Sequence, residues 1–267
     1  MKIFRDAAKL QKWSGALRRK GARIALVPTM GCLHEGHISL IEAAKRRGAD
    51  EIIVSIFVNP VQFGPNEDYA KYPREEKADL KKCRAAGATA VFLPTPEEMY
   101  MPGHSVYVDE ESLSKGLCGG RRPGHFRGVC TVVAKLFNIA HPDFAVFGQK
   151  DFQQVQVVKR MVRDLNFDLD VVVAPIVREK SGLAKSSRNT YLSEKERKMA
   201  LAISEGLKEF RSLAGLRRRL EKAGLKVDYV ECVDSETLAA RKRPGRGCTV
   251  LVAVYAGSTR LIDNRVF

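Results

Sequence analysis

The sequence predicts an α/β protein in which a doubly wound parallel sheet is followed by a smaller α+β domain. Short apolar runs alternate with helix-like segments up to about residue 177, and polar helices and alternating strands follow. With 267 residues, the chain is long enough for more than one domain. Its 45% hydrophobic and 29% charged residues are typical of a globular protein, which excludes the disordered and collagen-like classes.

The elements predicted for the first domain, residues 1–177, alternate regularly. The strands are short apolar runs without polar alternation, as in strands buried on both faces of a parallel sheet. In such a sheet, ligands bind beyond the carboxyl ends of the strands. In chain order we predict a helix at about 6–20, a strand at 23–28, a helix at 36–47, a strand at 51–58, a helix at 74–86, a strand at 90–93, a helix at 129–139, a strand at 144–147, a helix at 151–165 and a strand at 171–173.

The second domain, residues 178–267, has a different pattern. Two polar helices, at about 194–211 and 215–223, precede three strand-like runs at 227–234, 248–256 and 261–266. Polar and apolar residues alternate in these runs, which predicts an antiparallel sheet with one exposed face.

The formal net charge of +15 favours an anionic partner such as nucleic acid, a membrane surface or a nucleotide. Only 7% of the residues are aromatic, and the basic clusters 217–219 and 241–243 contain none, so a base-stacking surface is not supported. We interpret both clusters as solvated faces. No signal-peptide core or membrane span is found, and no C-x-x-C pair, so we expect an intracellular protein without a structural metal site.

The segment PTMGCLHEGH, residues 28–37, contains the main candidate for chemistry. It lies where the first buried strand turns into a helix, and free backbone N–H groups at such a turn favour phosphate. His34 and His37 are three residues apart, so both imidazoles are donors near the same point. A zinc pair and two surface histidines are the alternatives, but zinc needs a third ligand, and no His or Cys has a suitable spacing.

Five segments together resemble one known family. They are PTMGCLHEGH, FVNPVQFGPNEDYAKYP, RPGHFRGV, FGQKDFQQ and SSRNTYLS. In this order and spacing they resemble the pantoate–β-alanine ligases of the class I nucleotidylyltransferase superfamily. The resemblance implies ATP-dependent condensation of (R)-pantoate with β-alanine through a pantoyl-adenylate, releasing AMP and pyrophosphate. It also implies a Rossmann-like domain of the nucleotidyltransferase type, a C-terminal lid domain and a cytoplasmic homodimer, with no nucleic-acid or membrane partner.

The resemblance also implies the site residues. Gln62 and Gln154 match residues that bind pantoate, Gln62 also matches a β-alanine ligand, and His37 matches the proton donor. Adenylation needs donors around the developing phosphate charge, so we expect His34, His37 and Lys150 to be catalytic. We expect Mg²⁺ with ATP, and Asp151 is either its ligand or a helix cap. The residues matching the ATP site are Met30, Gly31, Cys32, Leu33, His34, Glu35, Gly36, His37, Gly148, Gln149, Lys150, Asp151, Val177, Lys185, Ser186, Ser187 and Arg188.

Two stretches leave questions open. Ser181 and Lys185 stand where the family usually has Asp and a Met or Leu, and Lys185 either contacts a phosphate or points to solvent. The stretch GGRRPGHFRG, residues 119–128, is interpreted as a Gly/Pro-rich connector that could also be a lid or a phosphate-facing loop, and we assign no catalytic role to Arg121, Arg122 or His125. Another H-x-G-H nucleotidylyltransferase and an RNA-binding protein are the alternative functions.

Overall fold

The computed structural model describes residues 1–65 and 67–267, so Asn66, inside the second matching segment, lies outside the described residues. The chain forms two compact units. The first contains Met1–Gly148 and Val157–Ala174, and the second contains Gln149–Gln156 and Pro175–Phe267. The domain division after residue 177 stays a prediction.

The first unit contains a six-stranded sheet, and the predicted α/β class is confirmed. Every predicted strand and helix of residues 1–177 is present, with bounds shifted by a few residues. Strand β1 and the short helices α4 and α5 were not predicted. The elements are β1 (Lys2–Phe4), α1 (Ala7–Arg19), β2 (Ile24–Thr29), α2 (Glu35–Arg46), β3 (Glu51–Ile56), α3 (Glu76–Ala86), β4 (Ala90–Phe92), α4 (Pro96–Met99), α5 (Leu117–Arg121), α6 (His125–Ala140), β5 (Phe144–Gly148), α7 (Phe152–Asp164, which starts in the second unit) and β6 (Asp170–Ala174).

The strand order is β1-β4-β3-β2-β5-β6, and all pairs are parallel. From β2 the chain proceeds through β3 to β4 in one direction, and from β5 to β6 in the other. This reversal between β2 and β5 is the topological switch point of a doubly wound sheet, where ligands bind beyond the carboxyl ends of the strands. The segments after Thr29 and Gly148 begin at these two ends.

The core of this sheet follows the predicted apolar runs. Residues 24–27 of β2 are fully buried; Ala25 and Val27 pack in a cluster with Ile41 and Ala44 of α2. Helix α3, predicted as a charged surface helix, differs from that expectation, because Asp79 on it is only 1% exposed. That buried carboxylate has a function in the turn after β2.

The second unit is built on an antiparallel sheet of order β7-β8-β9, as predicted. The outer strands alternate between buried and partly exposed residues, whereas the central strand β8 is buried almost throughout because it has a neighbour on each side. The elements are α8 (Glu194–Lys208), α9 (Leu213–Lys222), β7 (Lys226–Asp234), β8 (Cys248–Ala256) and β9 (Thr259–Val266).

The basic clusters of this unit make ion pairs at the surface. Arg219 contacts Glu205 at 2.9 Å and Glu209 at 2.6 Å, and Arg241 contacts Asp234 at 2.8 Å. Exposed pairs of this kind contribute little to stability, typically about 0–1 kcal/mol. Among the described residues, no helix combines the length and apolar character that crossing a bilayer requires.

Candidate active site

The two histidines after β2 form a stacked pair at the N-terminus of α2. Their ring centroids are 4.1 Å apart. His34 is the N-cap residue, and its Nδ1 accepts from the backbone N–H of Gly36 at 3.1 Å, while Nδ1 of His37 accepts from the N–H of His34 at 3.2 Å. Because each Nδ1 is an acceptor, each neutral ring carries its proton on Nε2. Each imidazole is therefore a hydrogen-bond donor through its Nε2–H group.

Most backbone amides of this turn have acceptors inside the protein, contrary to the expectation of free N–H groups. The buried carboxylate of Asp79 accepts from the amides of Cys32 at 2.8 Å and Leu33 at 2.7 Å. Burial raises the pKa of Asp79, although these two hydrogen bonds oppose the shift. The turn therefore presents imidazole donors and the positive end of α2 to a ligand, with its backbone held by α3.

The conformation of the turn explains its glycine. Gly31 has φ of +84°, and a Cβ there would lie 3.0 Å from the side chain of Ile56 and 3.1 Å from the Asp79 carboxylate. Cys32 also has a positive φ of 48°, which is uncommon for a residue with a side chain. The hydrogen bond from the Cys32 amide to Asp79 stabilises this strained conformation.

Gln62 lies at the end of a short 3-10 turn, Pro60–Gln62, and is only 7% exposed. Its Oε1 accepts from Asn59 at 3.1 Å, and its Nε2 donates to the sulfur of Met30 at 3.2 Å. Asn59 is fixed in turn by the hydroxyl of Tyr100, which donates to Oδ1 at 2.7 Å. The structure therefore brings together Gln62 and Met30, both candidates from the sequence.

Residues 119–128 were interpreted as a connector, but only residues 122–124 connect two elements, because α5 ends at Arg121 and α6 begins at His125. Arg122 makes two hydrogen bonds to the carboxylate of Glu67, at 2.6 and 2.7 Å. Burial opposes ionisation of Glu67, but the hydrogen bond and charge of Arg122 outweigh it, so its pKa lies below the ordinary value. His125 contacts both Arg122 and the backbone of Gln62.

In the second unit, the candidate Lys150 lies in a 3-10 turn, Gln149–Asp151, directly before α7. Its Nζ is 3.3 Å from Oδ2 of Asp151. Asn264 of β9, which is 3% exposed, donates to the carbonyls of Gln149 at 3.0 Å and Lys150 at 3.1 Å. The backbone of the lysine turn is therefore fixed by a strand that is distant in the sequence.

Gln154, on the first turns of α7, also belongs to this unit and is half-buried. Its neighbour Gln153 is the more buried of the two, at 4% exposure.

The loop that contains Lys185–Arg188 is also held within the second unit. The amide of Lys185 donates to the carbonyl of Val177 at 2.9 Å, which joins two of the candidates. The side chain of Ser186 caps the 3-10 turn Ser187–Tyr191 by accepting from the amide of Arg188 at 3.3 Å. Ser181, by contrast, is exposed.

Behind this loop, Asn189 donates to Oε1 of Glu179 at 2.9 Å and to the carbonyl of Ala184 at 3.0 Å. Arg197 of α8 donates to Oε2 of Glu179 at 2.9 Å. Burial opposes ionisation of Glu179, but the hydrogen bonds from Asn189 and Arg197 hold its pKa below the ordinary value of a glutamate.

We expect Glu179→Gln to destabilise the protein at pH 7 and to lose this effect in acid. Because the pKa is lower in the folded than in the unfolded state, the stabilisation is complete above the ordinary carboxyl range and is lost as the pH falls through the folded value. Urea unfolding between pH 7 and pH 3 measures this difference. Glu236→Gln, at an exposed carboxylate, is the control, and a pH-independent difference for Glu179→Gln would contradict the prediction.

Sequence reasoning missed the residues that hold these turns, among them Asp79, Glu179, Asn189 and Asn264. All four are polar. Asp79 stands among lysines on a helix that looks wholly exposed, and nothing in the local pattern distinguishes it. The sequence offered one signal, the adjacent polar residues Asp263 and Asn264, which interrupt the alternation of polar and apolar residues in β9. In the structure both are 3% exposed.

Among the described residues, no group of three or more His, Cys, Asp or Glu side chains is arranged to hold a metal ion. The carboxylate of Asp151 is about half exposed, at 47%. A single accessible carboxylate fits Mg²⁺ that is held mainly by phosphate and water.

Comparison with known proteins decides the family. A family model described as pantoate-beta-alanine ligase matches residues 2–266. The chain belongs to the pantoate–β-alanine ligase family. A pantothenate synthetase of Myxococcus xanthus is 52% identical over 277 residues, covering 98% of this chain and 94% of that protein. One from Thermotoga petrophila is 50% identical over 281 residues, covering 100% and 99%.

Solved structures of pantoate–β-alanine ligases have the same fold. The pantothenate synthetase of Thermus thermophilus aligns with a TM-score of 0.91 and 42% identity, covering 99% of each chain. The pantoate–β-alanine ligase of Francisella tularensis, solved in complex with beta-gamma ATP and beta-alanine, aligns with a TM-score of 0.88 and 35% identity, covering 100% of this chain and 97% of that one. The family resemblance of the five sequence segments is therefore confirmed, and so is the ligase class.

Proposed function

We propose that this pantoate–β-alanine ligase condenses (R)-pantoate with β-alanine at the expense of ATP. The pantoate carboxylate attacks the α-phosphorus and displaces pyrophosphate. The amine of β-alanine then attacks the carbonyl of the pantoyl-adenylate, and AMP leaves with its electron pair. The observation that carries this proposal is the family match from residue 2 to residue 266, which includes every candidate residue.

The geometry of the first unit supports the adenylation step. Charge grows on the phosphate oxygens in the transition state, and preorganised donors stabilise it without reorganisation. The stacked His34 and His37, whose neutral rings carry the proton on Nε2, are such donors. We propose His37 as the proton donor. Gln62 binds pantoate and β-alanine, since its amide offers both a donor and an acceptor.

In the second unit, Lys150 provides the cation for the phosphates, and Gln154 is a further pantoate ligand. Mg²⁺ enters with ATP, and Asp151 is our candidate for a protein carboxylate that would bind it. The ATP ligands that we propose are Met30, Gly31, Cys32, Leu33, His34, Glu35, Gly36, His37, Gly148, Gln149, Lys150, Asp151, Val177, Lys185, Ser186, Ser187 and Arg188.

We also propose that the protein works as a cytoplasmic homodimer, in which residues 1–177 form the Rossmann-like domain for ATP and pantoate and residues 178–267 form a lid domain. The exposed apolar side chains of Met101 and Val106, at 70% and 76%, support a protein–protein contact in the first unit. The solution mass, from sedimentation equilibrium, tests the dimer. Nucleic acid and membranes are not partners in this proposal.

The decisive experiment is a product assay with ATP, Mg²⁺ and pantoate, with and without β-alanine. The proposal predicts AMP and pantothenate only when all substrates are present. Nucleotide retained in the product would favour another nucleotidylyltransferase. Salt-dependent binding of generic RNA without ATP turnover would favour an RNA-binding protein. The Thermotoga petrophila pantothenate synthetase serves as the positive control.

Lys185→Met tests whether the unusual lysine contacts a phosphate. We expect the KM for ATP to rise by about 10–100-fold, because one charge-assisted contact contributes about 1.5–3 kcal/mol. Lys180→Met, an exposed lysine nearby in the sequence, is the control. An unchanged KM and kcat for Lys185→Met would show that this side chain points to solvent.

A further inference from the structure

The turn that contains Gln62 is held from its backbone side by the first turns of α6. A Cβ at Gly128 would lie 2.6 Å from the N and Cα atoms of Gln62 and from the carbonyl oxygen of Val61. Only glycine therefore allows the helix to approach so closely. Asn59 strengthens the contact by donating to the carbonyl of Gly128 at 3.1 Å.

His125, three residues before Gly128, fixes the same turn. The ring is 8% exposed, and its Nδ1 is 2.9 Å from the carbonyl oxygen of Gln62. A carbonyl oxygen can only accept, so Nδ1 carries the proton and Nε2 of the neutral ring is an acceptor. Arg122, whose guanidinium can only donate, occupies that side at 2.8 Å. The two contacts together determine the tautomer and the ring orientation.

Arg122 is itself oriented by Glu67. The bidentate ion pair is mostly shielded from solvent, because the side chain of Arg122 is 15% exposed and that of Glu67 is 24% exposed. Such a pair gives both charge and a fixed plane to the guanidinium. The chain of contacts therefore runs from Glu67 through Arg122 and His125 to the backbone of Gln62.

The side chain of Gln62 has one hydrogen bond within the turn itself, from Asn59 to Oε1 at 3.1 Å, and one weak contact outside the turn. Its Nε2 donates to the sulfur of Met30, and a thioether is a weak acceptor that a carboxylate or hydroxyl oxygen readily replaces. The position of the amide thus depends on where the backbone of the turn is held. Displacement of a binding group by about 1 Å is enough to cost about a hundredfold in rate.

We propose that Arg122 and His125 are positioning residues that hold Gln62 for pantoate and β-alanine, and so set the affinity for these two substrates but not for ATP. The inference rests on the proposed function, in which Gln62 binds both. Neither residue needs to touch a substrate, because each acts through the Gln62 backbone.

Three variants of the full chain test this in the product assay. His125→Phe removes the 2.9 Å donor to the Gln62 carbonyl and leaves only the long 3.5 Å contact from Arg122, and we expect a rise of about tenfold in the KM for pantoate and for β-alanine. His125→Asn restores a donor near the position of Nδ1 and should recover most of both KM values. Arg127→Gln removes a charge from the same helix turn, where its guanidinium lies 4.0 Å from the ring centroid of Tyr107, and should leave all KM values unchanged.

A merely structural role predicts a different result. It would lower the melting temperature and kcat of His125→Phe, and the KM values for pantoate, β-alanine and ATP would all change by the same factor or not at all. This result would overturn the inference. If His125→Phe does not fold, Glu67→Gln is the second variant, because it releases Arg122. It should raise the KM for pantoate and β-alanine but not for ATP, and KM values equal to those of the wild type would overturn the inference. A wild-type protein that forms no β-alanine-dependent AMP contradicts the proposed function itself; an active wild type with unchanged KM values in both variants contradicts only this inference.

Discussion

Lys150→Ala is expected to slow formation of the pantoyl-adenylate by about 10²–10³-fold, the usual cost of removing one donor from developing transition-state charge. The side chain is 22% exposed, and it forms an ion pair with the half-exposed carboxylate of Asp151 at 3.3 Å. Loss of so weak a pair changes stability little. The main effect is therefore on catalysis. Pantoate-dependent release of pyrophosphate from ATP, measured without β-alanine, reports the adenylation step directly.

Matched variants separate charge from shape at this position. Lys150→Met keeps most of the apolar side chain and should be as impaired as alanine, because only the ammonium is lost. Lys159→Ala removes an exposed lysine from α7 and should have wild-type rates. An adenylation rate for Lys150→Ala within about threefold of wild type, well below the effect of one donor, would exclude this lysine from the mechanism.

The second large effect is expected at His37, where two substitutions separate helix capping from catalysis. In His37→Asn the amide oxygen replaces Nδ1 as acceptor for the His34 N–H, but the donor at Nε2 is lost. We expect nearly wild-type stability and a loss of about 10²–10³-fold in adenylation. In His37→Gln a donor reaches the Nε2 position while the cap is lost, so we expect about 1 kcal/mol less stability with a smaller loss of rate.

Stability from urea unfolding and the adenylation rate together distinguish the two variants. His141→Asn is the control for a histidine-to-asparagine change. His141 ends α6 with φ of 44°, a conformation that asparagine tolerates. Equal activity of His37→Asn and wild type would contradict the role of the Nε2 donor. A loss of activity that follows stability alone, in both variants, would assign His37 a purely structural role.

Much of the fold was readable from the sequence because it depends on local patterns. Apolar runs such as Glu51–Ile56 are buried on both faces, and this requires a central position in a parallel sheet. The turn from β2 into α2 was also readable, because its glycine and histidines stand at the end of an apolar run. Strand β1 was missed, since three residues with two exposed side chains give no periodic signal.

The candidate site was predicted less evenly. Donor residues such as His34, His37 and Lys150 lie in the motif segments, and their residue type shows that they can donate hydrogen bonds. The residue types of the groups that hold them in place do not reveal this role, because it arises from contacts between distant parts of the chain. Asp79 lies 46 residues from Leu33 and Asn264 lies 115 from Gln149.

The sequence by itself determined the α/β class, the family and the candidate donors, since periodicity, residue type and motif spacing are properties of neighbouring residues. Only the tertiary structure showed that Asp79 accepts hydrogen bonds from the amides of Cys32 and Leu33 in the turn after β2. Likewise, only the tertiary structure showed that His125 contacts the backbone of Gln62. Both depend on how α3 and α6 pack. Packing brings residues together irrespective of their separation along the chain, so no local pattern encodes it.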